Sequence, residues 1–139
     1  MKKISLMIMM LALLTACATK ETARINVVPY PNEVRLTGGT FYVAGADFHI
    51  DAAIDPQAKG VIEAFAAQLA LTTGSECKVT EGKSGKGFSF ILDRKAEHEA
   101  YRLDITADGV KVKASGLSGF NYAIQTLKQM LPVEIFGSI

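Results

Sequence analysis

The chain has 139 residues, about the size of one domain, since domains commonly run to roughly 100–150 residues. Its 15 lysines and arginines nearly balance its 14 aspartates and glutamates, and without the two lysines of the N-terminal leader the balance is 13 to 14. This leaves no basic surplus of the kind that indicates binding to nucleic acid or to an anionic membrane surface.

The first sixteen residues have the pattern of a secretory leader. Two lysines precede an uncharged apolar run from Ile4 to Ala16, which is too short to cross a bilayer, where about 20 residues are needed. The run ends in L-T-A-C, which resembles a bacterial lipobox and predicts that Cys17 is lipidated and becomes the mature N-terminus. The alternative is an ordinary signal peptide cleaved nearby, with Cys17 incidental.

These features predict a signal peptide over residues 1–16, followed by the lipidated cysteine and a short polar tether over residues 17–24. The expected location is the bacterial cell envelope, on the periplasmic or the cell-surface face of the outer membrane. If Cys17 is acylated, Cys77 has no disulfide partner in the chain. Cys77 is then expected to be a small apolar side chain at the start of a strand and not a reactive thiol.

The segment after the tether predicts a hairpin. Glu33–Leu36 and Phe41–Ala44 are short β-prone runs joined by a Gly-Gly loop, which would place two apolar pairs on one face: Leu36 with Phe41 and Val34 with Val43. Phe48–Ile50 then alternates apolar and polar side chains and predicts a short strand at the edge of a sheet.

A long helix is predicted from Pro56 to about Thr73. Asp55 can cap its N-terminus, Pro56 suits the first helical position because its missing N–H costs nothing there, and Gly74 ends it. One stripe of the helix is apolar and needs a sheet to cover, namely Val61, Ile62, Phe65, Ala66 and Leu69.

Two further strands are predicted at Lys78–Thr80 and Gly87–Leu92. The second is expected to be partly covered on both sides, because Phe88 and Phe90 share one face while Ser89 and Ile91 share the other. The loop between them, G-K-S-G-K-G, suggests a phosphate-binding loop. That motif would need glycine at Cys77 and a helix after the loop, so we interpret the segment as a flexible hairpin loop.

The C-terminal part predicts a hairpin that leads into a helix. Two alternating runs, Tyr101–Thr106 and Val110–Ala114, flank Asp108-Gly109, and a two-residue loop there would make three pairs: Ile105 with Val112, Leu103 with Ala114, and Asp104 with Lys113. From Ser118 the period becomes helical, with Phe120, Ile124, Leu127 and Leu131 on one stripe, and Pro132 ends the helix. The whole order predicts an α+β fold, in which two helices pack on one face of a mainly antiparallel sheet.

Two segments resemble a known family. The run from Tyr101 to Pro132, Y-R-L-D-I-T-A-D-G-V-K-V-K-A-S-G-L-S-G-F-N-Y-A-I-Q-T-L-K-Q-M-L-P, resembles the end of the N-terminal domain of bacterial β-N-acetylhexosaminidases, the family 20 glycoside hydrolases. V-P-Y-P-N-E-V, at Val28 to Val34, resembles the opening of that domain. The resemblance implies a hexosaminidase-type N-terminal domain over residues 25–132 and a truncated linker over residues 133–139.

In that family a (β/α)8 barrel follows this domain and holds the catalytic residues, including an adjacent Asp-Glu pair that orients the substrate's acetamido group and donates the proton. No Asp-Glu dipeptide occurs in the present sequence. The resemblance therefore implies a non-catalytic domain, a fragment inactive alone, whose partner in the intact protein is the barrel. We expect no catalytic, cofactor-binding or metal-binding residues in this chain.

Two alternatives remain open. The chain could be the leading domain of another glycosidase, acting on N-acetylglucosaminyl or glucuronyl bonds, or a free-standing lipoprotein that binds glycans or a protein.

Other candidate residues have structural interpretations. Glu97-His98-Glu99 lacks the second histidine of a zincin motif, and His49 is the only other histidine, so we expect a solvated turn. The four tyrosines could stack on sugar rings if they lined one surface, but tryptophan is absent and packing roles are favoured for Tyr30, Tyr42, Tyr101 and Tyr122.

An orphaned domain would expose the surface that meets its barrel, and the apolar residues after Pro132 are candidates for that surface, namely Val133, Ile135, Phe136 and Ile139. We therefore predict marginal solubility or self-association of the purified domain. Light scattering at high protein concentration measures this directly, and a clean monomer would contradict the prediction.

Overall fold

The computed structural model describes residues 25–36 and 38–136, apart from the side chains of residues 134 and 136. The predicted signal peptide, Cys17 and the tether lie outside these residues. The strands are β1 (Phe48–Ile50), β2 (Val79–Glu81), β3 (Gly87–Leu92), β4 (Tyr101–Thr106) and β5 (Gly109–Ala114), and the helices are α1 (Pro56–Thr73), α2 (Leu117–Met130) and α3 (Val133–Phe136). No helix within the described ranges is long and apolar enough to cross a membrane.

The five strands form one sheet in the order β2-β1-β3-β5-β4. The predicted α+β class is confirmed. The sheet is mixed, since only β4 and β5 pair antiparallel and the other three pairings are parallel, where the sequence predicted a mainly antiparallel sheet. The difference arises because α1 carries the chain back along the sheet after β1, so that β2 enters in the same direction as β1. Strand β1 is therefore an interior strand, and its predicted position at the edge was wrong.

Helix α1 has both of its predicted ends. The Asp55 carboxylate accepts hydrogen bonds from the backbone N–H groups of Gln57 (2.9 Å) and Ala58 (3.0 Å), and Gly74 follows the helix in the left-handed conformation with φ of 68°. The cap gives hydrogen-bond acceptors to free N–H groups at the N-terminus of the helix. The glycine adopts the left-handed conformation that ends the helix at its C-terminus. The buried face holds Ala58, Ile62, Phe65, Ala66 and Leu69, which matches the predicted stripe except that Val61 is only partly buried.

Both long helices pack on the same face of the sheet. Phe65 of α1 meets Phe48 with ring centroids 5.7 Å apart, and Phe120 of α2 meets Phe90 at 6.2 Å. Phe48 also stacks on Phe88 at 4.6 Å, so one aromatic cluster joins the two helices to the central strands. The short helix α3 occupies the first part of the segment expected to be a linker, and its Ile135 packs against this core.

The C-terminal hairpin forms in a register two residues away from the predicted one. Ile105 pairs with Val110, Leu103 with Val112 and Asp104 with Lys111, so the loop is Ala107-Asp108. Gly109 belongs to β5 because it lies opposite Gly87 of β3, where a Cβ atom on Gly109 would come within 2.5 Å of the Gly87 carbonyl oxygen. A shift of two residues keeps every side chain on its predicted face. Val110, Val112 and Ala114 are accordingly buried.

The predicted hairpin between Glu33–Leu36 and Phe41–Ala44 does not form, and no strand occurs in the described residues before β1. Leu36 remains 54% exposed, whereas Phe41 packs edge-on against Phe88 with ring centroids 5.5 Å apart. A two-stranded hairpin with few apolar side chains is marginal by itself, and here the core binds Phe41 without its predicted partner.

The segment between β2 and β3 is a crossover and not the predicted hairpin loop, because β1 lies between these two strands and runs parallel to both. It passes over His49. The ring atom Nε2 of His49 lies 3.0 Å from the Lys86 carbonyl oxygen, and Nδ1 lies 3.0 Å from the Thr80 hydroxyl. A carbonyl can only accept, so in the neutral ring Nε2 donates to Lys86 while Nδ1 accepts from Thr80.

Glycines permit this close crossing. A side chain at Gly85 would collide with the His49 ring, and one at Gly87, where φ is 105°, would collide with the Asp47 carbonyl oxygen.

We predict that His49→Ala lowers the free energy of unfolding by about 1–2 kcal/mol, because two hydrogen bonds that hold the crossover are lost. Urea denaturation followed by circular dichroism measures the change. His98→Ala is the matched control, since His98 lies exposed in a turn, and it should leave the midpoint in place. Equal midpoints for the two variants would show that His49 does not hold the crossover.

Candidate functional site: the polar face of the sheet

The face of the sheet opposite the helices carries a row of polar side chains across all five strands. Phe48, Phe88 and Phe90 point toward the helices, so their neighbours along each strand point the other way. The strand register aligns these neighbours in one row: Thr80, His49, Ser89, Lys111 and Asp104. Since neighbouring strands lie about 4.8 Å apart, the row is about 19 Å long.

Ser89 lies at the centre of this row and is its only buried member, with 1% of its surface exposed. The burial agrees with the predicted covering of β3 on both sides. The hydroxyl of Ser89 has no hydrogen-bond partner in the part of the chain that the structure describes. Buried polar groups in proteins are nearly always paired, so this hydroxyl is an unused donor in the middle of the polar face.

The polar face is positively charged. Arg102 and Asp104 of β4 form an ion pair at 3.1 Å, and the hydrogen bond to Asp104 raises the pKa of Arg102 above its ordinary value. Lys111 and Lys113 of β5 have no ion-pair partner within 4 Å among the described residues, and the same holds for the exposed Lys83 and Lys86 of the crossover. Glu81, the other acidic strand residue, faces the helices and pairs with Lys59 at 3.7 Å, while the charge of Glu33 acts on Arg102.

Three of the carboxylates close to the sheet have partners. Asp51 is buried and accepts from the backbone N–H groups of Ala53 (3.1 Å) and Leu92 (3.3 Å), Asp55 caps α1, and Asp104 binds Arg102. Glycosidases that act through two carboxylates need them on opposite sides of a scissile bond. One depression on the described surface is lined by Ile25, Asn26, Gln129 and Met130, none of which carries a carboxylate.

Glu97, His98 and Glu99 are exposed in a turn, as predicted. Within the described residues no group of three histidine, cysteine or acidic side chains could hold a metal ion.

Cys77 is unpaired and partly buried, and it packs against the core just before β2, as expected for a small apolar side chain. Burial raises the pKa of its thiol, and the charge of Asp47 adds to the rise, while a hydrogen bond from the Gly45 backbone opposes it. A raised pKa leaves less thiolate at neutral pH, so the environment does not activate this cysteine.

The tyrosines do not share one role. Tyr101 donates to or accepts from the Thr126 hydroxyl at 2.6 Å and thereby joins β4 to α2, which is a packing role. Tyr30, Tyr42 and Tyr122 are 64%, 82% and 47% exposed.

The sequence did not predict that these five polar residues lie in one row. Each strand's alternation could be seen, but the row depends on the strand order and on the parallel register of β1 with β3, which alternation does not reveal.

The sequence matches the family described as glycosyl hydrolase family 20, domain 2, over residues 24–137. No curated protein sequence matches the chain.

Among solved structures, the chain is similar to an N-acetyl-beta-hexosaminidase from Streptomyces plicatus, with 29% identity, a TM-score of 0.67, and coverage of 78% of this chain and 22% of that chain. It is also similar to a GH20 beta-N-acetylhexosaminidase from Streptomyces coelicolor, with 27% identity, a TM-score of 0.66, and coverage of 76% and 21%. A GH20 exo beta-N-acetylglucosaminidase from Vibrio harveyi shares the fold, at 24% identity, a TM-score of 0.60, and coverage of 76% and 16%.

The chain thus spans about a fifth of the length of the Streptomyces enzymes, and the similarity extends over most of its own length. The match to the family covers every strand and helix described above. The chain therefore belongs to glycosyl hydrolase family 20, as its domain 2.

Proposed function

We propose that this chain is the non-catalytic N-terminal domain of a β-N-acetylhexosaminidase-like glycoside hydrolase, an enzyme that releases terminal N-acetylhexosamine from glycans. The match to the family over residues 24–137 carries the proposal. The partner of the domain in the intact enzyme is a catalytic (β/α)8 barrel, and by itself the domain has no glycosidase activity.

The chemistry of the described residues supports the non-catalytic assignment. Asp51, Asp55 and Asp104 hold backbone N–H groups or a guanidinium, so these three are not free to orient an acetamido group or to protonate a leaving group. An exposed apolar surface supports a missing partner. Val133 is 77% exposed at the start of α3, and Val28 is 81% exposed beside Gln129 near the end of α2.

We predict that the protein from Ala18 to Ile139, which contains every described element, does not release the chromophore from a chromogenic N-acetyl-β-hexosaminide. A full-length family 20 enzyme is the positive control. The reason is that the depression lined by Ile25, Asn26, Gln129 and Met130 carries no acid that could protonate a leaving group. Turnover that copurifies with the folded domain through successive columns would overturn the proposal, because the barrel would then not be required.

We also propose that the protein is anchored in the bacterial cell envelope through a lipid on Cys17, with the domain on the periplasmic or the cell-surface side of the outer membrane. The leader pattern of the first seventeen residues supports this. In cells fed a clickable fatty acid, the full chain should become labelled, Cys17→Ser should abolish the label, and the matched control Cys77→Ser should keep it. Label that persists in Cys17→Ser would refute the anchor.

A further inference from the structure

We propose that the polar face of the sheet binds an acidic polysaccharide. An extended glycan chain would lie across the strands, with its carboxylate or sulfate groups bound by Lys86 and Lys111 and a hydrogen bond donated by the Ser89 hydroxyl. The proposal rests on the proposed function and deepens it, because it names acidic glycans as the class that this domain recruits.

Charge complementarity is the first argument. The chain as a whole is close to neutral, yet four lysines without ion-pair partners in the described region lie on or beside one face, namely Lys83, Lys86, Lys111 and Lys113. The only acidic side chain in the row, Asp104, is occupied by Arg102. A surface of one sign attracts ligands of the other, and the attraction weakens as salt is added.

The strand register and the crossover place two of the lysines near Ser89. Lys111 lies on β5 directly beside Ser89 of β3, and the backbone of Lys86 lies next to His49, where its carbonyl accepts a hydrogen bond from the ring. Ser89 is the smallest side chain of the row and lies between His49 and Lys111, and because it is 1% exposed, a ligand reaches its hydroxyl where the covering side chains move aside.

The unpartnered hydroxyl of Ser89 is the second argument, independent of the charges. It is buried on the polar face and lacks a partner in the described region, which is uncommon for a buried hydroxyl. A hydroxyl donates readily to an anionic oxygen, and such charge-assisted bonds are stronger than neutral ones. A sulfate or carboxylate held by the flanking lysines is the ligand that suits this donor.

The composition of the face favours a glycan over a lipid bilayer or a nucleic acid. Ile91 is the one apolar side chain that the described strands place on this face, and it is half-buried, so the face has nothing to insert among acyl chains. The only ring in the row is the imidazole of His49, which the crossover covers at Gly85, so bases have no platform to stack on. The row is about 19 Å long, which accommodates several sugar units of an extended chain.

The test is calorimetric binding of the protein from Ala18 to Ile139 to a chondroitin sulfate octasaccharide at low salt. A neutral chitin hexasaccharide, which carries N-acetylhexosamine without charge, is the ligand control. We expect binding to the acidic ligand only, weakened by added salt. The double variant Lys86→Gln/Lys111→Gln should lose about fivefold or more in affinity. The matched control Arg94→Gln/Lys95→Gln removes the same charge from an exposed turn and should stay within about twofold.

A further variant separates binding from folding. Ser89→Ala removes a buried hydroxyl that has no described partner, so the denaturation midpoint of this variant should not fall, while its affinity for the octasaccharide should drop about threefold.

Three binding results would overturn the proposal: an equal loss of affinity in the Lys86→Gln/Lys111→Gln and Arg94→Gln/Lys95→Gln variants, equal binding of the neutral hexasaccharide, or no binding of the octasaccharide. So would preferential binding to phosphatidylglycerol vesicles or to single-stranded DNA. None of these outcomes bears on the hexosaminidase assay, so the two proposals fail separately.

Discussion

The contact of Phe48 with Phe88 and Phe90 is the interaction on which the rest of the structure depends. Strand β1 has only three residues, yet Phe48 also meets Phe65 of α1, so this one side chain fixes β1 in the interior of the sheet. Burial of an aromatic ring stabilises by about 1.5–3 kcal/mol, which is large for so short a strand. With β1 held there, β2 must pair on its outer side, and the chain must cross β1 to reach β3. His49 and Gly85 make that crossing possible, and the polar row results from it.

The sequence was enough to predict those features that depend on interactions between residues close together in the chain. The Asp55 cap, the Gly74 terminator and the buried stripe of α1 depend on neighbouring residues, and the structure contains all three. The strand order was not accessible in this way, because alternation predicts which face a residue takes but not which strand lies beside it. The hairpin register shows the same limit. The loop was placed at Asp108-Gly109 on turn chemistry, but Gly109 is needed in β5, where the neighbouring strand approaches too closely for a side chain.

The N-terminal segment shows how a core can override a local pattern. Phe41 was expected to pair with Leu36 across a Gly-Gly turn, and both glycines do have positive φ. The turn chemistry is therefore present, but the two flanking runs do not pair, because Phe41 gains more from contact with Phe88 than from an isolated ladder. The candidate site was hidden for a related reason. Its members come from five strands, and no sequence period brings Lys111 beside Ser89.

The two faces of the sheet have different roles: one packs against the helices, and the other carries the polar row. The face covered by the helices holds most of the buried aromatic and aliphatic side chains, which together form the core. Three carboxylates near the sheet are engaged as well: Asp51 and Asp55 accept from backbone N–H groups, and Asp104 pairs with Arg102. On the polar face, the side chains without an ion-pair or hydrogen-bond partner among the described residues include Lys111, Lys113 and the buried hydroxyl of Ser89. The lysine ammonium groups and the Ser89 hydroxyl of this face can donate hydrogen bonds to anionic oxygens, so the polar face is suited to binding an anionic ligand.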